Sequence, residues 1–287
     1  MSDLQSLKSR IKNIKNTSKV TKAMKLISAN KLKKAVKDLQ TFHENKLVID
    51  HLFYKMADND NIAKLSENYQ KLLRPSDKIS SLMLIVISSN KGLCGNFNSS
   101  LFKTIENEIT MLLKEGYDIS IMTLGSKANN YFKINNQEFL NEMLSNIQKF
   151  EVENTNIAME IMLKKFFTGE IHECRIYYNE FISSISHPVK CEVLLPIELP
   201  KISYDNLKTS EGSNVLEKVT KHYLSNKILK SLLESKAGEE SSRMAAMDSA
   251  TNNAVKIYNR LILQYNRTRQ ASITNEICEI ISGSEAL

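Results

Sequence analysis

From residue 215 to residue 287 the chain contains no proline, and its only glycines there are Gly238 and Gly283, with Gly212 just before. A stretch this long without breakers is read as helix, because proline and glycine are the residues that interrupt one. Inside it, apolar or small residues recur at alternating steps of three and four: Met244, Met247, Thr251, Ala254, Tyr258, Leu261 and Tyr265. That spacing is an a/d seam, which buries one stripe of a helix against another. At 1.5 Å per residue, ~70 helical residues would extend about 100 Å, far beyond what a globular core requires. Such a helix needs a partner along its length. Its far end, Arg269 to Glu276, reads Arg-Gln-Ala-Ser-Ile-Thr-Asn-Glu, with polar residues on every face. That end is expected to meet water or another protein.

The N-terminus offers the partner. Residues 4–58 also lack glycine and proline, the first of either being Pro75. Leu4, Leu7, Ile11 and Ile14 begin a heptad seam, which then moves to Val20, Met24 and Ile27 and resumes at Leu32, Ala35 or Val36, Leu39 and Phe42. A shift of this kind is expected to be a stutter, a local change of supercoil. The two long helices pair antiparallel if the segment between them is a compact domain whose ends lie on one side.

Arg74-Pro75-Ser76-Asp77 marks the boundary of that middle segment. The apolar run 82–88 reads as a strand buried on both faces. A loop, Lys91-Gly92-Leu93-Cys94-Gly95, follows it, then an amphipathic helix over 97–115 and a second strand at 118–124. Helices at 126–132 and 154–167 and a strand at 175–182 come next, while residues 141–153 give no pattern. Val189, Cys191, Val193 and Leu195 alternate with Lys190 and Glu192, which predicts an edge strand with its charged face outward. Alternating strands and helices imply a small, largely parallel α/β sheet.

Charge narrows the function classes. The net charge is +7, but residues 1–40 hold eleven Lys and Arg against Asp3 and Asp38, a local +9 that leaves −2 for the rest. A one-signed helix face with few acidic i,i+4 partners is a solvated face, a nucleic-acid surface or the complement of an acidic protein. Residues 1–40 contain no aromatic side chain to stack on bases, so the acidic protein ranks above nucleic acid. Cys94, Cys174, Cys191 and Cys278 are scattered without a CxxC or a nearby histidine, as in a reduced compartment without a zinc site. The 91–95 loop lacks the spacing of a dinucleotide or P-loop motif and is read as a strand-to-helix turn that needs glycine. No Cys-His-Asp set can be built around Cys94 from five scattered histidines, and Glu276 with Glu279 reads as a solubilising pair. Nothing at the N-terminus reads as a signal peptide, and the longest apolar run is too short to span a bilayer.

Two terminal motifs go beyond pattern. Residues 11–31 read Ile-Lys-Asn-Ile-Lys-Asn-Thr-Ser-Lys-Val-Thr-Lys-Ala-Met-Lys-Leu-Ile-Ser-Ala-Asn-Lys, and residues 265–283 read Tyr-Asn-Arg-Thr-Arg-Gln-Ala-Ser-Ile-Thr-Asn-Glu-Ile-Cys-Glu-Ile-Ile-Ser-Gly. With Arg243-Met244-Ala245-Ala246-Met247 and Lys91-Gly92-Leu93-Cys94-Gly95, they resemble the γ subunits of F-type ATP synthases, of bacterial type, from end to end. Asn96 and Ser284 depart from the family's usual glycine and alanine. The resemblance implies an α/β fold in which a long antiparallel coiled coil of the terminal helices joins a small Rossmann-like domain. It divides the chain into residues 1–75, 76–205 and 206–287. It implies a non-catalytic rotor that binds no cofactor, turns inside a ring of three α and three β subunits, and couples proton-driven rotation of the c-ring to the catalytic β sites. By resemblance, Met24, Lys25, Arg243, Arg269, Gln270, Thr274 and Glu276 face the ring, and Tyr204 belongs to the foot beside the ε subunit and c-ring. Membrane association is then indirect, through the c-ring, at the cytoplasmic face of a bacterial inner membrane. The alternative is a stand-alone basic coiled-coil protein that binds nucleic acid.

Overall fold

The chain opens and closes on a very long helix. The computed structural model describes residues 2–57, 62–73, 79–135, 140–144, 152–199 and 212–285. Helix α1 spans Ser2–Met56 and helix α6 spans Gly212–Glu285. Between them lie α2 (Glu67–Leu73), β1 (Ser81–Ile87), α3 (Phe97–Lys114), β2 (Asp118–Leu124), α4 (Ser126–Asn135), β3 (Leu140–Leu144), α5 (Val152–Phe167), β4 (Glu173–Asn179) and β5 (Val189–Leu195). Two compact units result, Met1–Asn30 with Arg243–Leu287, and Lys31–Ser242. Both long helices contribute residues to both units.

The larger unit is built on a five-stranded sheet in the order β3-β2-β1-β4-β5. Its first four strands pair in parallel, and β5 runs antiparallel at the edge beside β4. Side chains alternate across a strand, so β1 is divided between two cores. Met83, Ile85 and Ile87 join one core with Ala158 and Met162 of α5, Phe53 of α1, and Leu224, Ile228 and Leu232 of α6. Leu82, Leu84 and Val86 join the other with Leu101 and Ile105 of α3 and Phe132 of α4. Each of these aliphatic side chains contributes roughly 1.5–3 kcal/mol by burial, which is why β1 reads as an unbroken apolar run.

Within this unit α1 and α6 run antiparallel. Lys31 of α1 pairs with Glu240 of α6, while Tyr54, further along α1, shares a 3.0 Å hydroxyl contact with Tyr223, further back on α6. Phe53 stacks on the same Tyr223 ring with centroids 4.2 Å apart.

Strand β5 corrects the sequence reading. Cys191 and Val193 are the exposed residues, while Lys190 and Glu192 are half-buried. The charged face turns inward because it finds partners there: Glu192 Oε1 accepts from Tyr178 Oη at 2.7 Å and lies 3.1 Å from Lys190 and 3.2 Å from Lys230 of α6. A paired and hydrogen-bonded charge can be buried where a lone one cannot.

Candidate functional site

In a doubly wound sheet, ligands bind beyond the carboxyl ends of the strands, where the strand order reverses. Here that place lies between β1 and β4, and the chain fills it itself. Gly238 of α6 sits so close that an added Cβ would come within 3.3 Å of both His187 and Phe97. Ser241 donates to the Ser184 carbonyl at 2.5 Å, and Ser242 lies 2.5 Å from His187 Nε2. The start of α4 is likewise occupied. Its amides at Ser126, Lys127 and Ala128 donate to Asn90 Oδ1 at 3.0 Å, the Ser89 carbonyl at 3.2 Å and Ser88 Oγ at 2.8 Å. Amides already satisfied in this way cannot cradle a phosphate.

The 91–95 loop is a rigid turn. Gly95 and Leu93 both have positive φ, 59° and 63°, and Asn98 closes the turn by bonding Ser89 through both its amide atoms, at 3.1 and 2.7 Å. Glycine is required less in this loop than at Gly125, where φ is +116° and a Cβ would stand 2.3 Å from the Ser88 carbonyl oxygen. Cys94 is buried, so it offers no exposed nucleophile, and all four cysteines are free thiols. Among the described residues no group of His, Cys, Asp and Glu could hold a metal ion.

The paired helix ends of the smaller unit are different. On α6 the shielded positions are Met244, Met247, Thr251, Ala254, Tyr258, Leu261 and Tyr265, as the spacing predicts, and they continue through Thr268 to Ser272 before every residue becomes exposed. On α1 the seam runs through Leu4, Leu7, Ile11, Ile14, Ser18, Thr21, Lys25 and Ser28, with Met24 and Ala29 half-buried beside it. This is an uninterrupted alternation of threes and fours, so the predicted stutter is absent. Apolar Val20 is 58 % exposed, whereas Thr21 is 9 % and Ser28 2 % exposed. The pair is antiparallel here too: Thr21 Oγ1 lies 2.7 Å from Thr251 Oγ1, and Lys25 Nζ lies 2.6 Å from Asp248 Oδ1.

The seam mixes small polar with apolar side chains, burying Leu7, Met247, Ala254 and Leu261 beside Thr21 and Ser28, while Val20, Leu26 and Ile27 on α1 and Leu263, Ile273, Ile277 and Ile280 on α6 are exposed. Apolar side chains gathered on an outer face signal a surface that another molecule covers. Lys8, Arg10, Lys12, Lys15, Lys19 and Lys22 are exposed alongside them.

The predicted contact residues distribute as follows. Met24 is half-buried beside the seam and Lys25 half-buried within it, with the Lys25 charge engaged by Asp248. Arg269, Gln270, Thr274 and Glu276 are all exposed on the last turns of α6. Arg243 stands apart, 6 % exposed within the chain's own packing. Tyr204, the boundary at residues 74–77 and residues 145–151 lie outside the described residues. Sequence reasoning missed Leu26, Leu263, Ile277 and Ile280; a search for apolar residues off the heptad register would have found them.

A family model described as ATP synthase matches residues 3–287. The "ATP synthase gamma chain" of Rickettsia felis is 34% identical over 296 residues, covering 100% of both chains. The chain belongs to the ATP synthase gamma-chain family. The gamma chain of Geotalea daltonii is also 34% identical, covering 100% of this chain and 99% of the relative. Among solved structures, a chain of the Euglena gracilis mitochondrial ATP synthase, in its OSCP/F1/c-ring assembly, shares the fold with a TM-score of 0.73. That match has 18% identity and covers 99% of this chain and 94% of the other. Gamma chains form the central rotor stalk and are non-catalytic, the chemistry belonging to the β subunits. The nucleic-acid alternative is not supported. Among the described residues, no helix is long and apolar enough to cross a membrane.

Proposed function

We propose that the outer faces of the paired helix ends are the bearing surface of this rotor inside the ring of α and β subunits. The observation that carries the reading is the set of apolar side chains, Val20, Leu26, Ile27, Leu263, Ile273, Ile277 and Ile280, left exposed outside a seam that is already packed. A free-standing coiled coil would keep such side chains off its outer face, whereas a shaft presents them to what surrounds it. Met24, Lys25, Arg269, Gln270, Thr274 and Glu276 are the ring contacts, and the exposed lysines of α1 oppose acidic segments of β. Arg243 acts with them from its buried position, by holding the turn of α6 at which the bearing surface begins. The contact must be weak and graded, because a shaft that bound one β conformation far more tightly than the next would stall.

Residues 1–75 and 206–287 form the working shaft and residues 76–205 the α/β domain, whose Tyr204 contributes to the foot against the ε subunit and the c-ring. The chain works as a peripheral component at the cytoplasmic face of the bacterial inner membrane, a reading its bacterial relatives support. No cofactor enters this mechanism. The test is native mass spectrometry of the chain co-expressed with its own α and β subunits. A species with one copy of this chain per ring, whose ATPase activity depends on it, is expected; a chain that stays apart from α and β would refute the reading.

A further inference from the structure

We infer that Glu234 is a proton-operated latch, a carboxyl whose protonation holds α6 against the edge of the sheet and whose ionisation releases that stretch. Glu234 is 5 % exposed, and its Oε2 is buried without a hydrogen-bond partner. Its other oxygen lies 3.8 Å from Lys230, one turn back on α6, beyond hydrogen-bond reach. Lys230 is closer to Glu192 of β5, at 3.2 Å. Glu192 also holds Lys190, which in turn pairs with Glu180 at the end of β4.

The titratable groups around Glu234 therefore come from three elements. Lys230 lies on its own helix, Tyr178 and Glu180 on or just after β4, and Lys190 and Glu192 on β5. Lys227, further back on α6, answers to Lys46 and Asp50 of α1 and to Glu192. Three carboxylates, Glu180, Glu192 and Glu234, thus share two ammonium groups, Lys190 and Lys230, and the carboxylate with the weakest contact is the most buried. One proton on Glu234 balances the cluster. Its loss leaves a buried charge that Tyr178 and Lys230 satisfy only in part, with Oε2 unpartnered, and a short outward opening of α6 from β5 admits water to it.

Burial, offset in part by Lys230, raises the Glu234 carboxyl above its ordinary value of 4.5. Below that value both closed and open forms carry the proton, and the latch is shut. As pH rises, the open form ionises first, so opening grows by up to about tenfold per pH unit until the closed form ionises too, and then levels off.

Hydrogen-exchange mass spectrometry on the full chain, stepped from about pH 4.5 to about pH 8.5 and corrected for intrinsic exchange, tests this. The amides of residues 228–240 should lose protection relative to those of α3 with that profile. Glu234→Gln should stay protected and flat across the range. Glu192→Gln, which frees Lys230 for Glu234, should end the loss at lower pH. The same loss in Glu234→Gln as in the parent chain, or no loss in the parent, would overturn the latch.

Discussion

Helix α6 behaves in opposite ways in the two units. In the larger unit, the α6 stretch from Leu224 to Ser242 is shielded on almost every side, and even its carboxylates Glu234, Glu239 and Glu240 are buried. In the smaller unit α6 shields only one residue in three or four and leaves apolar side chains outside. Helix propensity and length are alike in both. The difference lies in what surrounds the helix: in the larger unit the chain supplies its own sheet, and in the smaller one it supplies a single partner helix. On the reading proposed above, an apolar residue on that surface is covered by another protein.

Substitutions that disturb the self-packed unit should damage folding most. Gly125→Ala forces a Cβ into the Ser88 carbonyl at a φ of +116°. It should cost about 3 kcal/mol or more, read as lost soluble yield or a steep fall in Tm. A variant that folds with unchanged Tm would mean the β1–β2 ends are not packed as described. Leu232→Ala empties a fully buried site in the core shared by sheet and helices. A loss of about 2–5 kcal/mol is expected from chemical denaturation. Leu26→Ala, on the exposed face, should change the isolated chain's stability by no more than about 0.5 kcal/mol. Equal losses at the two leucines would erase the distinction between the units.

Acid should act on the larger unit through Glu192. Burial alone would raise its carboxyl, but the hydrogen bond from Tyr178 and the charges of Lys230 and Lys190 outweigh it and bring it to about 2. Its stabilising contribution is therefore complete above the ordinary value of 4.5 and fades as pH falls toward about 2. Glu192→Gln should flatten the acid limb of a Tm-against-pH curve, and an unchanged limb would remove Glu192 as its cause. The smallest effect is expected at Lys25 and Asp248, whose ion pair is part-exposed at 38 % and 46 %. Losing it through Asp248→Asn should cost about 0–1 kcal/mol, less at high salt.

Much of this was legible from residues alone. The α6 seam followed its three-four spacing from Met244 to Tyr265, and the helices and strands flanking β1 and β2 fell close to their expected places, because breakers and periodicity are local signals. The α1 register was misread because apolar character was taken to mean inward. Val20 and Ile27 are exposed while Thr21 and Ser28 are buried, and no local pattern reveals which stripe the partner helix covers. The orientation of β5 failed for a related reason: Lys190 and Glu192 are buried by partners 38 or more residues away on α6 or across the hairpin. Strand β3, Leu-Asn-Glu-Met-Leu, is too short and mixed to announce itself and exists through its parallel pairing with β2. The candidate site was half visible. Its polar members came from the terminal motifs, and its apolar members only from exposure.

The central claim is that the outer face of the smaller unit transmits force between this chain and its ring. The most direct measurement is proton pumping per ATP hydrolysed, in inverted membrane vesicles carrying Met24→Lys. Met24 borders the seam, half-buried, so a longer charged side chain there must push outward into the ring contact. The account predicts that hydrolysis persists while fewer protons are moved per ATP. A pumping ratio equal to that of the parent enzyme would show that this face does not carry the coupling.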